Sequence, residues 1–445
     1  MNLGHQSRLL MALLIGVASV LLSGCGRLSS SAAKESVAPP ATILPANVEA
    51  SETAIRFLED RVRRDPDDFI AYNKLAGYYL RRQRETGSVT YLTLAAKAAD
   101  ASLKAMPAEQ NPGGLAAVAY TEFASHEFAA ARDHALQLIG LEKQKSFPYE
   151  LLADALGELG DYDQATTAYA KMIEVGGRTV GGETRLARAD LLRGKTDSAA
   201  ERLTFALTLA SQQDPPARET IAWIRWQLGE IAFSVGDYTK AEQHYRDALT
   251  TFPDYYRALA GLGRALAAQS DFAGAITSYE RAVQVLPDPS FVAALGDLYK
   301  LAGREQEAAA QYALVEQIGK LNAANGLLYN RQVALFYADH DLKPEEAYAQ
   351  AKREYADRHD IYGADAVAWT ALKAGRVAEA QAAINEALRL GTRDARLLYH
   401  AGTIALAAND AQAARDYLKR ALALSPQFDP LQSAKAKQAL ATLGE

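Results

Sequence analysis

The chain has one cysteine, Cys25, in 445 residues, so no disulfide can form within it. Stretches that alternate β-branched and polar residues are few, which argues against β-sheets. The seven histidines are scattered, and their spacing is not typical of a metal site. The formal charge is −6, which makes the chain a poor candidate for binding a nucleic-acid backbone. We therefore expect no nucleic-acid partner.

Motifs that carry catalysis are equally scarce. The chain contains no HExxH, GxSxG or CxxC sequence. The stretch GLGRAL, residues 261–266, begins like a dinucleotide-binding fingerprint, but Leu266 stands where the last glycine belongs. His340 and His359 each precede an aspartate near a predicted turn or helix end, and we expect both on the solvated surface. We therefore predict that the protein is not an enzyme and holds no metal or cofactor.

The N-terminus contains a short apolar run that follows Arg8. This run, Leu9–Leu22, is 14 residues long, which suits a signal peptide and is short for a membrane span of roughly 20 residues. The four residues at its end, LSGC at 22–25, resemble the lipobox of bacterial lipoproteins. In that family the chain is cut before the cysteine, whose sulfur carries a diacylglyceryl group. The alternative is a signal peptide or short anchor that happens to contain a free cysteine.

The resemblance to lipoproteins implies how the first fifty residues are organised. Residues 1–24 would be the signal peptide, and Cys25 would be the lipid attachment site, with palmitate among its acyl chains. Residues 25–50, rich in Ser, Ala and Pro, are predicted to form a disordered tether. Two or three acyl chains give stable membrane anchoring. Gly26 replaces the aspartate that favours inner-membrane retention in the family, so the resemblance implies the cell envelope, at the periplasmic face of the outer membrane if the organism has one.

An internal repeat occupies most of the remaining chain. The stretch LGRALAAQSDFAGAITSYERAVQVLP, at 262–287, matches LGEIAFSVGDYTKAEQHYRDALTTFP at 228–253 in the positions of its small and aromatic residues. One alanine marks successive copies at Ala131, Ala165, Ala199, Ala241, Ala275, Ala308, Ala347, Ala380 and Ala414. The intervals between these alanines are 34, 34, 42, 34, 33, 39, 33 and 34 residues. This period, with small residues at fixed offsets, resembles the tetratricopeptide repeat (TPR) family.

The resemblance implies an all-α fold, an α-solenoid of about ten tandem helix-turn-helix repeats that form a superhelix with a concave groove. It covers roughly residues 51–428, and residues 429–445 are predicted to form a C-terminal capping helix. One helix pair cannot bury its own apolar face, so neighbouring pairs must stack. Within the repeat at 262–287, Gly263 and Ala275 are predicted at the helix crossing, with Phe272 and Tyr279 filling the space around it.

The concave groove is the predicted binding site. In TPR proteins the first helix of each repeat lines the groove, with positions 2, 5, 9 and 12 facing it. The groove-binding candidates at these positions are Trp223, Trp226, Phe233, Arg257, Arg264, Tyr362, Trp369, Arg396 and Tyr399. Trp, Tyr and Arg often dominate binding energy at interfaces. The alternative is that some of these residues pack between helices as core.

The sequence therefore predicts a lipid-anchored cell-envelope scaffold or adaptor. Its expected partner is a protein or peptide in the concave groove, and its N-terminal lipid would contact the membrane. The lysine and asparagine clamp of chaperone-binding TPR domains is not visible in the N-terminal repeats, so a chaperone tail is not expected. The alternative function is a secretion or export component whose groove binds a polysaccharide or small ligand.

Overall fold

The computed structural model describes residues 46–324 and 331–444. Residues 1–45, which include the predicted signal peptide, Cys25 and most of the predicted tether, lie outside the described residues. Within the described ranges the chain forms α-helices and no β-strand. The helices are α1 Ala46–Arg64, α2 Phe69–Thr86, α3 Val89–Ala105, α4 Pro112–Ala124, α5 Phe128–Leu141, α6 Phe147–Glu158, α7 Tyr162–Gly176, α8 Val180–Leu192, α9 Thr196–Ser211, α10 Arg218–Ser234, α11 Tyr238–Thr251, α12 Tyr256–Ala268, α13 Phe272–Val285, α14 Pro289–Leu301, α15 Glu305–Ala324, α16 Arg331–Asp339, α17 Pro344–Asp357, α18 Ile361–Lys373, α19 Val377–Ala387, α20 Ala395–Ala407, α21 Ala411–Leu424 and α22 Gln432–Thr442.

The helices pack as successive pairs, from α2 with α3 to α20 with α21, and each pair stacks on the next. This arrangement is the predicted all-α solenoid. The chain's alanine content favours helices, and stacking buries the apolar face that a single pair would expose. α1 begins at Ala46, inside the range 25–50 that the sequence assigned to the tether, and α22 lies in the predicted capping segment.

The turn inside several pairs contains a residue with positive φ. Gly160, Gly194 and Gly236 have φ values of 79°, 70° and 80°. Glycine lacks a Cβ and enters this left-handed region without the steric cost that other residues meet. An aspartate then caps the second helix in some pairs, as where the side chain of Asp271 accepts a hydrogen bond from the amide of Gly274 at 2.9 Å. The chain therefore reverses direction within a few residues.

Small residues lie where helices cross, as the sequence predicted. A Cβ on Gly263 would come within 2.5 Å of Cδ2 of Tyr279, so only glycine fits against this ring. Ala275 is fully buried at the same crossing. Phe272 was predicted to fill this space as well, but its side chain is 39% exposed. It is the first residue of α13 and lies at the edge of the stack, where no other segment of the described chain covers it.

The stack coils so tightly that residues contact others 189 to 229 positions further along the chain, and we call these contacts cross-turn contacts. The backbone amide of Ile361 donates a hydrogen bond to the hydroxyl of Tyr162 at 2.9 Å. The Arg389 guanidinium donates to the carbonyl of Gly160 at 2.9 Å. The hydroxyl of Thr392 donates to the carbonyl of Leu192. These bonds join the turns of α6–α7 and α8–α9 to loops that lie six pairs further along the chain.

A second group of cross-turn contacts involves the turn between α10 and α11. The hydroxyl of Ser425 donates to the carbonyl of Phe233 at 3.2 Å. The amide of Gln427 donates to the hydroxyl of Tyr238 at 2.7 Å. Nearer the N-terminus, Gly87 lies against Leu286, whose Cδ2 would be 2.6 Å from a Cβ added to the glycine. Successive turns of the superhelix therefore contact each other along much of the chain.

One cross-turn contact is an ion-pair cluster centred on a buried carboxylate. Glu158 in α6 pairs with Arg188 in α8 and, across the turn, with Arg358, whose Nε lies 2.7 Å from Oε2 of Glu158. Burial raises the pKa of Glu158, but the charges of Arg188 and Arg358 outweigh burial and lower this pKa to about 2. Arg358 also pairs with Asp360 at 2.8 Å. The cluster therefore links helices of the two superhelical turns.

Replacing Gly160 by alanine is predicted to destabilise the protein more than the same change at Gly375. Both glycines have positive φ, so alanine costs about 1 kcal/mol in backbone strain at either site. A Cβ at residue 160 would also come within 2.3 Å of the carbonyl oxygen of His359, whereas none of the described atoms lies within 4 Å of one at 375. We expect Gly160→Ala to lose a further 1–3 kcal/mol, roughly the cost of overpacking, measured as a larger fall in Tm. Equal falls in Tm would contradict the cross-turn contact.

Replacing Glu158 by glutamine is predicted to lower the stability by about 2 kcal/mol, because it leaves Arg188 and Arg358 without this carboxylate. The folded pKa of Glu158 lies below the ordinary value of 4.5, so its stabilisation is present above pH 4.5 and is lost as the pH falls towards 2. The difference in Tm between wild type and variant should therefore shrink over that range. As a control, Glu307→Gln removes an exposed pair with Arg304 and should change Tm little. A pH-independent difference at Glu158 would refute this assignment.

Candidate functional site

The concave side of the solenoid encloses a cavity of about 570 Å³, which we call the lumen. Its wall comes mainly from the first helices of consecutive pairs: α10, α12, α14, α16, α18 and α20. Residues 425–430, which precede α22, also line it. Because cross-turn contacts join the α10–α11 turn to this same segment, the lumen is walled by two superhelical turns.

Six of the nine predicted groove residues line the lumen. They are Trp226, Phe233, Arg257, Arg264, Tyr362 and Arg396. They lie on α10, α12, α18 and α20, so residues far apart in sequence come together as the solenoid coils. Their capacity to bind a partner stays a prediction.

The other three predicted groove residues do not line the lumen. Trp369 is 2% exposed, stacks on His400 with ring centroids 4.2 Å apart, and donates a hydrogen bond from Nε1 to Asp339 at 2.8 Å. Tyr399 is buried in the same core cluster. Trp223 is partly buried and packs between helices beside Trp226. The structure therefore places these three rings in helix packing, which was the alternative that the sequence left open.

Most arginines of the lumen are neutralised by carboxylates. Arg264 pairs with Glu230 at 2.6 Å and lies over the ring of Phe233. Arg396 lies 3.3 Å from both Asp339 and Asp429. Burial raises the pKa of Asp339, and the charge of Arg396 opposes that rise. These pairs fix the side chains and leave little free charge at their own positions.

Arg257 differs from these arginines. Within the part of the chain that the structure describes, no carboxylate lies within ion-pair distance, 4.0 Å, of its guanidinium. The guanidinium lies 5.3 Å from the ring centre of Trp226 and 5.2 Å from that of Tyr256, and its side chain is exposed in the lumen. Arg257 is in the first turn of α12, where the helix dipole disfavours a cation. It therefore offers an anion a planar donor flanked by aromatic rings.

His340 lies in the lumen wall and not on the solvated surface, which corrects the sequence-based expectation. Its Nε2 is 2.7 Å from Asp297 and its Nδ1 is 2.8 Å from the carbonyl oxygen of Phe336. Burial lowers the pKa of His340, but the hydrogen bond and charge of Asp297 outweigh burial, so this pKa lies above its ordinary value. His359, by contrast, is exposed as expected.

Sequence reasoning missed the acidic residues of the lumen. Glu230 follows Trp226 at position 9 of its repeat, and Asp365 follows Tyr362 at position 5, so the same groove positions identify both. Asp297 and Asp339 stand at positions 9 and 12 of their repeats, counted from the marker alanines Ala308 and Ala347, so the groove positions identify them as well. Among residues 46–324 and 331–444, no group of three or more His, Cys, Asp or Glu side chains is arranged to hold a metal ion.

The fold and the lumen define a class of protein, the α-solenoids of paired helices. Models of the family described as Tetratricopeptide repeat match residues 226–290 and 367–427, and another such model matches residues 148–175. These matches support the assignment of the chain's repeats to the tetratricopeptide-repeat family. No curated protein matches the sequence.

Several solved structures are similar to parts or most of the chain. A crystal structure of MamA aligns over 39% of this chain and 97% of its own, with 21% identity and a TM-score of 0.32. TTC0263, a thermophilic TPR protein in Thermus thermophilus, covers 43% and 99%, with 21% identity and a TM-score of 0.37. The human IFIT1 dimer with PPP-AAAA covers 85% and 95%, with 12% identity and a TM-score of 0.45. Such low scores and identities carry no argument about function.

Truncating Trp369 is predicted to cost far more stability than truncating Trp226. Trp369 is buried among core side chains, so Trp369→Ala should cost about 3–5 kcal/mol. Trp226 borders the lumen and is partly buried, so Trp226→Ala should cost about 1–2 kcal/mol. Urea midpoints of the two variants, with wild type alongside, test this order. Equal losses would show that Trp226 is packed as fully as Trp369.

Proposed function

We propose that this protein is a lipid-anchored scaffold of the cell envelope that binds an extended peptide segment of a partner in its lumen. The observation that carries the proposal is that six predicted groove residues, from four helices, line one cavity. Concave surfaces are what solenoid proteins use for binding, and TPR proteins generally mediate protein–protein interactions. The proposal includes neither catalysis nor a cofactor.

The lumen suits a short extended segment in size and in chemistry. Its volume of about 570 Å³ is within the range of roughly 300–1,000 Å³ that small ligands occupy, and it is too small for a folded domain. Its wall carries both donors, such as Arg257 and Arg396, and acceptors, such as Glu230 and Asp297. A peptide backbone supplies donors and acceptors along its whole length, so it can satisfy a wall of mixed sign.

A peptide is favoured over a polysaccharide by where the aromatic rings lie. Stacking on a sugar needs an open ring face, but Trp369 and Tyr399 are buried in the core. One face of Trp226 is approached by the guanidinium of Arg257. The lumen rings of Trp226 and Phe233 are thus flanked by the guanidinium groups of Arg257 and Arg264, which suits a peptide that carries an acidic side chain.

The anchor rests on sequence alone. The lipobox-like LSGC at 22–25 supports lipidation of Cys25 and cleavage of residues 1–24. No helix within residues 46–324 and 331–444 has the length and apolarity needed to cross a bilayer. Residues 25–45 would form the tether that holds the solenoid off the membrane, at the periplasmic face of an outer membrane if one exists. Labelled palmitate should enter the wild-type protein and not Cys25→Ser.

Binding is tested by screening the full-length chain against an array of peptides drawn from envelope proteins. Peptides with an acidic residue should bind, and Arg257→Ala should weaken their binding by about 10- to 100-fold, the value of a charge-assisted hydrogen bond. Arg353→Ala removes an exposed arginine from α17, away from the lumen, and should leave affinity unchanged. Equal affinities of wild type and Arg257→Ala would contradict the lumen as the site, and binding of glycans in place of peptides would favour the export alternative.

A further inference from the structure

In the part of the chain that the structure describes, an apolar edge remains uncovered on the last turn of the superhelix. Phe272, Leu301, Leu342 and Leu406 are large apolar residues with exposed side chains. Each lies at or beside the turn between the two helices of its pair, in α12–α13, α14–α15, α16–α17 and α20–α21 respectively. Such turns lie along one edge of a stack of helix pairs, and we call this set the turn edge. Large exposed apolar residues that recur along one edge are typical of an interaction surface.

At two hairpin turns of the first superhelical turn the corresponding residues are covered. Phe128 and Tyr162 begin the second helices of their pairs, as Phe272 does, but they are only 3% and 7% exposed, against 39% for Phe272. The guanidinium of Arg358 lies 5.5 Å from the ring centre of Phe128, and that of Arg389 lies 5.0 Å from that of Tyr162. The covering residues come from loops between pairs of the following superhelical turn. Burial at this repeat position therefore depends on whether a further superhelical turn follows.

Part of the cross-turn interface uses only the backbone of the hairpin turns. Arg389, Thr392 and Ser425 donate hydrogen bonds to backbone carbonyls, namely those of Gly160, Leu192 and Phe233. Hairpin turns that no later superhelical turn covers are open instead. At Gly303 and Gly375, none of the described atoms lies within 4 Å of an added Cβ. The uncovered hairpin turns thus present the same kind of backbone surface that loops of this chain contact elsewhere in the superhelix.

A matching edge is uncovered at the other end of the chain. It consists of the loops between the first helices, at residues 65–68, 106–111 and 142–146. Loops at the same place in later repeats contact the hairpin turns of earlier pairs. No earlier superhelical turn of the described chain covers the loops of the first helices. Pro107 in the second loop and Leu141, the residue just before the third, are exposed. We call this set the loop edge. Within the described residues, one molecule therefore carries both halves of the cross-turn interface, unpaired, at its two ends.

From this we infer that the turn edge docks onto the loop edge of a second copy of this chain, so that the superhelix continues from molecule to molecule. The contact joins two different surfaces, so it is heterologous and leaves each new end free to add another copy. The inference is independent of what the lumen binds.

Complementary variants test the inference in the full-length chain carrying Cys25→Ser, so that lipid cannot drive association. Phe272→Asp with Leu301→Asp blocks the turn edge, and Pro107→Asp with Leu141→Asp blocks the loop edge. Wild type should assemble progressively with concentration in analytical ultracentrifugation. Each double variant alone should be a monomer, but an equimolar mixture should form a species of twice the monomer mass, because one open edge of each kind remains.

A matched control is Leu136→Asp with Leu321→Asp, which changes exposed apolar residues in helix interiors and should assemble as wild type does. Circular dichroism checks that each variant is folded, and serine replaces aspartate at any position where it is not. A wild type that stays monomeric at every concentration would overturn the inference. So would a dimer that either double variant still forms alone, or a control that loses assembly equally.

Discussion

The structure depends on the close approach of hairpin turns to loops six pairs further along the chain. Gly160 and Gly194 make that approach, because the carbonyl oxygens of His359 and Gly391 lie where a Cβ would otherwise stand. These glycines serve two purposes, since the positive φ of the turn also favours a residue without a Cβ. Local turn chemistry and long-range coiling thus impose the same requirement on the same residues.

The cross-turn contacts close an open groove into a walled lumen. Helices from different superhelical turns then face one another, so charges that a single turn would leave in water must find partners. Arg264 with Glu230, and Arg396 with Asp339 and Asp429, show how most of them do. Arg257 is the exception among the arginines of the described lumen wall, so it is the arginine that an anionic ligand can reach without displacing a carboxylate.

The repeat period was sufficient to predict the all-α solenoid, the helix crossings at Gly263 and the groove positions on the first helices. It could not predict burial that depends on coiling. Phe128 and Phe272 occupy the same repeat position, yet only Phe128 is covered, because only Phe128 is followed by a later superhelical turn that contacts it. Trp369 was placed in the groove by its position, but a stacking partner in the next pair, His400, holds it in the core. The local sequence pattern determines which face of a helix a residue lies on, whereas packing against neighbouring pairs determines whether its side chain stays accessible.

Hydrogen–deuterium exchange with residue-level fragmentation tests the cross-turn contact most directly. The amide of Ile361 is in the first turn of α18, where helical amides have no partner within the helix, and its acceptor is the Tyr162 hydroxyl across the turn. This amide should exchange slowly in wild type and quickly in Tyr162→Phe, while amides in the middle of α18 stay protected in both. Fast exchange at Ile361 in wild type would contradict the walled lumen, because it would show that the two superhelical turns are apart in solution.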